Sequence, residues 1–198
     1  MDYEKYRQRP IIPKFDDKHR FFNRGHLTPN EAFYDADERE LTFVNTNIAP
    51  QWSKFNSENW SKVESAVKRY ANQNNRKVYV VTGTGGEILR NKVPLKLSKK
   101  VVVPQFFWKA VCDPVAKQSI VFVAKNPSGV EGITRQRGCS IAGGVVRMTP
   151  VKGIINCYSL DGLKRRKEAR YFKLPSFGDA CNPAQRGRFL DQYLRGLN

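Results

Sequence analysis

One stretch of this chain, Asn56 to Gln73, carries apolar residues at helical spacing. Trp60, Val63, Val67 and Tyr70 fall on a single face, which predicts an amphipathic helix packed against a core. The strong signals around it are strands. Residues 41–48, residues 77–83, Val101–Trp108 and Ser119–Ala124 are rich in β-formers. The 77–83 run reads as the clearest buried strand, and Gly83-Thr84-Gly85-Gly86 as the turn that stops it. Residues 126–144 read as loop, 145–158 as room for one more strand, 160–170 as a basic helix, and 185–197 as a last short helix. Residues 1–22 read as irregular, with Ile11-Ile12 a short edge strand between two prolines. Strands and helices mix without βαβ alternation, so the expected class is α+β, in a single domain over residues 1–198.

Charge narrows the partners. The 198 residues hold 35 Lys+Arg against 18 Asp+Glu, a formal net charge of +17. Residues 1–40 hold nine acids and eight bases, so the excess lies entirely in residues 41–198. Such a balance points to polyanions and away from cationic ligands or basic proteins. No stretch approaches the roughly 18–20 apolar residues of a membrane helix, so no membrane association is expected. The start, Met1-Asp2-Tyr3-Glu4-Lys5, is polar and unlike a signal peptide. The protein is then either intracellular or an exported protein whose leader has been removed. The four cysteines form no CxxC, and the chain has only two histidines, which argues against a Cys/His zinc site. Two disulfides in any of three pairings, or buried free thiols, stay open.

The chemistry-bearing stretch is Arg24-Gly25-His26-Leu27-Thr28-Pro29. Glycine admits close approach of a ligand to the backbone, arginine can fork onto a phosphate, and imidazole can take a proton near neutral pH. Lys164-Arg165-Arg166-Lys167 is a run that either faces solvent or contacts phosphates. His19 reads as structural. The glycosylation sequon Asn59-Trp60-Ser61 reads as unmodified, because it lies beside the candidate site.

Together with Asn47-Ile48-Ala49-Pro50-Gln51, Asn56 and Glu64, the Arg-Gly-His segment resembles the DNA/RNA non-specific endonucleases, a branch of the ββα-metal (His–Me finger) nucleases. Asn56 follows His26 by 30 residues and Glu64 follows Asn56 by eight, the family spacing. Val78–Gly83 and Val103-Pro104-Gln105-Phe106-Phe107-Trp108-Lys109 are similar to its next two elements. The resemblance covers residues 18–125, and its wording is closest to the animal secreted members. It implies a ββα-metal core with a mixed, mainly antiparallel sheet flanked by helices. It also implies a Mg²⁺-dependent endonuclease, with Mn²⁺ as an alternative ion, that cuts DNA and/or RNA with little sequence specificity and leaves 5′-phosphate ends. His26 would be the general base, Asn56 the direct metal ligand, Glu64 the holder of metal-bound waters, and Arg24 the partner of the phosphate. Gln51 and Asn47 would brace the loop presenting Asn56, with Gln51, Lys68 and Arg69 toward the substrate. A secreted or extracellular location follows, with an intracellular one as the alternative.

Three departures from the family pattern support a rival reading, a non-catalytic nucleic-acid binder on a degenerate nuclease fold. Asn23 stands where the family has Asp. Lys68 stands where it has Arg, and lysine lacks the bidentate fork. Few residues precede Arg24, so an upstream strand and a phosphate-binding arginine are expected to be missing or replaced by Arg7 or Arg9. Taken alone, Asn56 reads better as a helix N-cap, a role Asn favours.

Overall fold

The computed structural model describes residues 21–127 and 134–198; the expected Ile11-Ile12 strand and the roles of Arg7 and Arg9 lie outside them. In chain order the regular elements are β1 (Phe22–His26), α1 (Ala36–Leu41), β2 (Ile48–Trp52), α2 (Ser53–Phe55), α3 (Ser61–Gln73) and β3 (Tyr79–Gly85). The short strands β4 (Leu89–Arg90), β5 (Val93–Pro94), β6 (Lys96–Leu97) and β7 (Val101–Val102) follow. Then come β8 (Phe106–Asp113), β9 (Gln118–Lys125), β10 (Gln136–Ile141), β11 (Gly144–Met148), β12 (Ile155–Tyr158), α4 (Leu160–Lys164) and β13 (Asn182–Arg186). A π-helical turn, Asn56–Trp60, joins α2 to α3.

The five-stranded central sheet runs β12-β9-β8-β3, with β13 also on β9. β9 pairs with β12 through Val121–Ala124 and with β13 through Gln118 and Ser119. Those two strands therefore lie end to end along one side of β9. Only the β13–β9 pair is parallel, so the sheet is mixed and mainly antiparallel, in an α+β fold.

Alternation along β8 assigns the two faces of the sheet. Phe107 and Val111 join α2, the π turn and α3 in the larger core with Phe55, Trp60, Val63, Val67 and Tyr70. Trp108 and Ala110 point the other way and pack with Val121, Val123, Leu160 and Leu163. Burying rings such as Phe55, Trp60 and Phe107, all at 0% exposure, contributes about 2–3 kcal/mol each. Disulfides Cys112–Cys181 and Cys139–Cys157 tie β8 to the segment before β13, and β10 to β12. This selects one of the three open pairings.

Several boundaries depart from the sequence reading. The helical segment begins at Ser53, so Asn56 lies inside it and is no N-cap. The strand expected at 41–48 is instead the end of α1 and a 3-10 turn, with β2 displaced to 48–52. Capping explains the shift. Asp35 accepts bonds from the Asp37 and Glu38 amides and starts α1, and the Asn47 side chain bonds the Thr42 carbonyl. β3 is no buried strand. Among the described residues it ends the sheet, with Tyr79 at 56% and Val80 at 42% exposure. Gly83 and Gly85 belong to it rather than to a turn; a Cβ on Gly83 would lie 2.5 Å from the Trp108 ring. β10 crosses the expected loop at 126–144, and two strands rather than one occupy 145–158. The expected helix at 185–197 is the end of β13 and a 3-10 turn, Asp191–Leu194.

Candidate active site

β1 and β2 form a two-stranded antiparallel finger, with His26 opposite Ile48 and Phe22 opposite Trp52. The Phe22 and Trp52 rings meet edge to face at 5.4 Å, which anchors the base of the finger. Asn126 clamps it to the sheet. The Asn126 amide accepts from Trp52 N–H and donates to the Pro50 and Pro104 carbonyls. Gly25 has a local reason to be glycine. A Cβ there would lie 2.3 Å from Gln51 Oε1 and 2.5 Å from its Cβ.

Beyond the finger lies a cleft of about 1040 Å³. The finger side contributes Arg24, His26 and Leu27, and the sheet contributes Val80, Thr82 and Lys109. The helix contributes Asn56, Ser57, Ser61, Glu64 and Lys68. From Ser57 onward these are three or four residues apart, so they form the polar stripe opposite the apolar stripe of Val63, Ala66 and Tyr70. The π turn matters for Asn56. It fits one more residue per turn than an α-helix, so each residue rotates the chain less. Asn56 and Glu64 come closer to one face than the roughly 80° offset of an unbroken α-helix.

His26 stacks edge-on against Phe43 at 4.6 Å. Burial lowers its pKa, and a hydrogen bond to the Arg24 backbone partly opposes this. Its Nε2 is buried without a hydrogen-bond partner among the described residues. The backbone bond therefore falls to Nδ1, and Nε2 keeps its lone pair.

Glu64 is the most perturbed acid of the cleft. Burial pushes its pKa up to about 7; the Lys109 ammonium pulls it back, and Glu31 adds to the rise. Lys109 sits 3.8 Å from Glu64 Oε1, with the lysine side chain 1% exposed. Burial lowers the Lys109 pKa while Glu64 raises it. The ammonium also donates to Thr82 Oγ1 at 2.7 Å and to the Leu27 carbonyl at 3.3 Å. It lies 5.7 Å from the centre of the Trp60 ring. One buried cation thus joins finger, sheet and helix. The sequence reading gave Lys109 no role. Its place on the same strand face as Phe107 and Val111 was the available signal, because a lysine among core positions needs a buried partner.

The structure brings Arg24, His26, Asn56, Glu64 and Lys68 to one cleft and leaves others apart. Arg69 turns away, donating to the Tyr193 carbonyl at 2.8 Å beside that ring. It does not border the cleft. Lys68 does border it, but donates to the Glu31 carbonyl at 2.5 Å and lies over the Tyr34 ring, strapping the loop after β1 to α3. Asn47 braces a different loop from the expected one. It exchanges hydrogen bonds with Thr28, just beyond His26. Gln51 is fully buried behind Gly25, under the finger and not toward a substrate. Asn59 is also fully buried, donating to the Gly153 and Asn198 carbonyls, so its sequon is closed by packing.

The family profile of the DNA/RNA non-specific endonucleases matches residues 1–146. The chain belongs to this family. It is 40% identical to a salivary endonuclease of Lutzomyia longipalpis over 113 residues, 54% of this chain and 27% of that protein. It is 32% identical to a salivary endonuclease of Culex quinquefasciatus over 141 residues, 70% of this chain and 36% of that one. A nuclease of Nostoc sp. is 32% identical over 115 residues, 57% of this chain and 36% of its own. The chain thus spans about a third of the length of these relatives. The endonuclease family match takes in the finger, α3, the strands through β9 and the start of the region around β10 and β11, which includes every cleft residue named above.

The family is generally metal-dependent, and the donor set here fits a hydrated cation. Among the described residues no group of three or more His, Cys, Asp or Glu is arranged to hold an ion. What the cleft offers is the Asn56 amide and a buried Glu64 Oε1 without a hydrogen-bond partner among those residues. An ion held there would keep most of its waters, the habit of Mg²⁺.

Proposed function

We propose that this protein is a Mg²⁺-dependent endonuclease, with Mn²⁺ as a substitute, hydrolysing phosphodiester bonds of DNA and/or RNA with little sequence specificity. Products would carry 5′-phosphate ends, and residues 1–198 would act as a single nuclease domain. The observation that supports this best is His26 Nε2, left with its lone pair in a cleft that also holds Arg24, Asn56 and Glu64.

His26 takes the proton of the attacking water at Nε2, while its Nδ1–H to the Arg24 backbone holds the ring in the required tautomer. Its lowered pKa keeps the imidazole neutral, hence basic, at neutral pH. Arg24 offsets the charge that builds on the phosphate as the P–O3′ bond breaks. Asn56 would hold the cation, and ionised Glu64 its waters by hydrogen bonds. When bound, the ion supplies Lewis-acid polarisation of the phosphate and stabilises the departing 3′ oxygen. Lys68, with donors beyond the one given to Glu31, is placed to meet an adjacent phosphate.

Two disulfides and salivary endonucleases among the relatives support an extracellular working place. No helix among the described residues is long and apolar enough to cross a membrane. The decisive experiment digests single- and double-stranded DNA and RNA with Mg²⁺, with Mn²⁺ and with EDTA. Metal-dependent cutting is expected, with a loss of at least about 100-fold in His26→Ala. Retardation of substrate without cutting would sink the enzyme reading.

A further inference from the structure

The basic run starting at Lys164 lies on the opposite face of the sheet from the cleft. Leu160 and Leu163 of α4 bury against Trp108, Ala110, Val121 and Val123, and Phe172 and Leu174 pack on the same cluster. The residues between these anchors present Lys164, Arg165, Arg166, Lys167, Arg170 and Lys173, all exposed. Five of the six line a shallow depression of about 620 Å³ floored by Phe172 and Leu174. Two of its guanidinium groups are held in place. Arg170 lies 4.7 Å from the Tyr171 ring centre and bonds its hydroxyl at 2.7 Å, and Arg166 lies 5.9 Å from the Tyr158 ring centre. The nearby acids are two: Asp161 is 3.3 Å from Lys164, and Glu168 is 3.9 Å from Arg166. A strong positive excess remains.

The position of this surface is the telling part. A Cβ on Gly85 would lie 2.4 Å from the Tyr171 carbonyl and 2.8 Å from the Phe172 ring. The basic segment is therefore seated directly on β3. On the other face of the same strand, Val80 and Thr82 line the cleft, and β3 is the end of the sheet among the described residues. Cleft and basic surface stand back to back across one edge strand.

We propose that this surface is a second nucleic-acid-backbone site, which holds the portion of a long substrate that leaves the cleft and passes over the β3 edge. For the class of its partner it rests on the nuclease reading. Exposed cations around a shallow floor, two of them held against aromatic rings, suit the evenly spaced charge of a phosphodiester backbone. A fragment only long enough to fill the cleft would never reach it.

The test uses the full chain and a variant with Lys164→Gln, Arg165→Gln, Lys167→Gln and Lys173→Gln, all at exposed positions outside the cleft. Binding to duplexes of about 8 and about 40 base pairs is measured across salt concentrations in EDTA, so that nothing is cut; each phosphate contact adds about 0.9 to the slope of log affinity on log salt. The expected result is a slope lower by about 3.6 for the variant on the long duplex, and an unchanged cleavage rate for the short one with Mg²⁺. An unchanged slope on the long duplex overturns the proposal. So does a variant whose only loss is binding to phosphatidylserine vesicles, since that would make the surface a membrane contact. If the wild type cuts neither duplex nor any single- or double-stranded DNA or RNA with Mg²⁺ or Mn²⁺, the nuclease reading falls, while the surface is still judged on its slope in EDTA.

Discussion

Lys109 on β8 and Glu64 on α3 form a buried ion pair at 3.8 Å, and the same ammonium bonds the carbonyl of Leu27, the residue after His26. The pair couples the position of the candidate base to the protonation of the candidate water-holder. Removing one partner of a buried pair costs about 3–5 kcal/mol. Lys109→Met should therefore destabilise the fold, and the loss should depend on pH. Without the ammonium, the Glu64 pKa moves further above about 7. An acid whose folded pKa lies above its unfolded value is most stabilising below the unfolded value, and that stability is lost as pH rises through the folded pKa. Denaturant midpoints should show a larger deficit for the variant at about pH 8 than at about pH 5.5; a deficit equal at both would mean only packing was lost.

Glu64 also ties metal binding to pH. With its pKa near 7, a good share of the protein near neutrality carries the proton there, and protonated Glu64 cannot serve as a full acceptor for metal-bound waters. Divalent-cation affinity should rise with pH up to about 8, with a proton released on binding. Titration calorimetry in buffers of differing ionisation heat reads that proton directly. Glu64→Gln should bind more weakly with no proton released, and release that persists in the variant would assign it to another group.

Gln51 fills the space that a side chain at Gly25 would need. Gly25→Ala would drive a Cβ into Gln51, an overpacking that costs about 1–3 kcal/mol, and would displace His26 one residue further on. Cleavage should fall more than stability predicts. Adding Gln51→Gly removes both obstructing atoms, Oε1 and Cβ, and should restore part of both, giving a coupling measurable in a double-mutant cycle. Simple additivity would show that the finger adapts in another way.

The two disulfides differ in reach. Cys112–Cys181 spans 69 residues and Cys139–Cys157 spans 18, so the chain-entropy estimate gives about 4 and about 3 kcal/mol. Replacing the first pair by alanine should lower the melting temperature more than replacing the second. The opposite order would point to native packing around Cys139 as the larger contribution.

The helix face of Trp60, Val63, Val67 and Tyr70 was legible because its period is local. So was the site as a set of residue types, since the Arg-Gly-His and Asn-to-Glu spacings are linear features. What the sequence did not reveal depends on contacts distant in the chain. Val80 and Val81 have the composition of a core strand, but nothing in their own segment says that no further strand pairs beyond β3. Arg69 is adjacent in sequence to Lys68, yet one helical step turns it from the cleft toward Tyr193. Lys109 reads as an ordinary basic residue until Glu64 is placed opposite it. The segment around Asn45–Asn47 looked like a strand because Val44 and Ile48 are β-formers, and side-chain hydrogen bonds from Asn47 decide otherwise.

Both disulfides lie beyond α3 in the chain, so the finger that carries Arg24 and His26 has no covalent staple among the described residues. Its attachment rests on the Asn126 clamp, the Lys109 bond to Leu27 and the Lys68 strap. The protein is thus mechanically two-toned: a cross-linked slab, and a finger carrying the candidate site whose amides should trade hydrogen for deuterium first. Heat or mild denaturant should then abolish the proposed nuclease activity while most of the sheet is still intact, and gentle cooling should bring it back without any thiol chemistry.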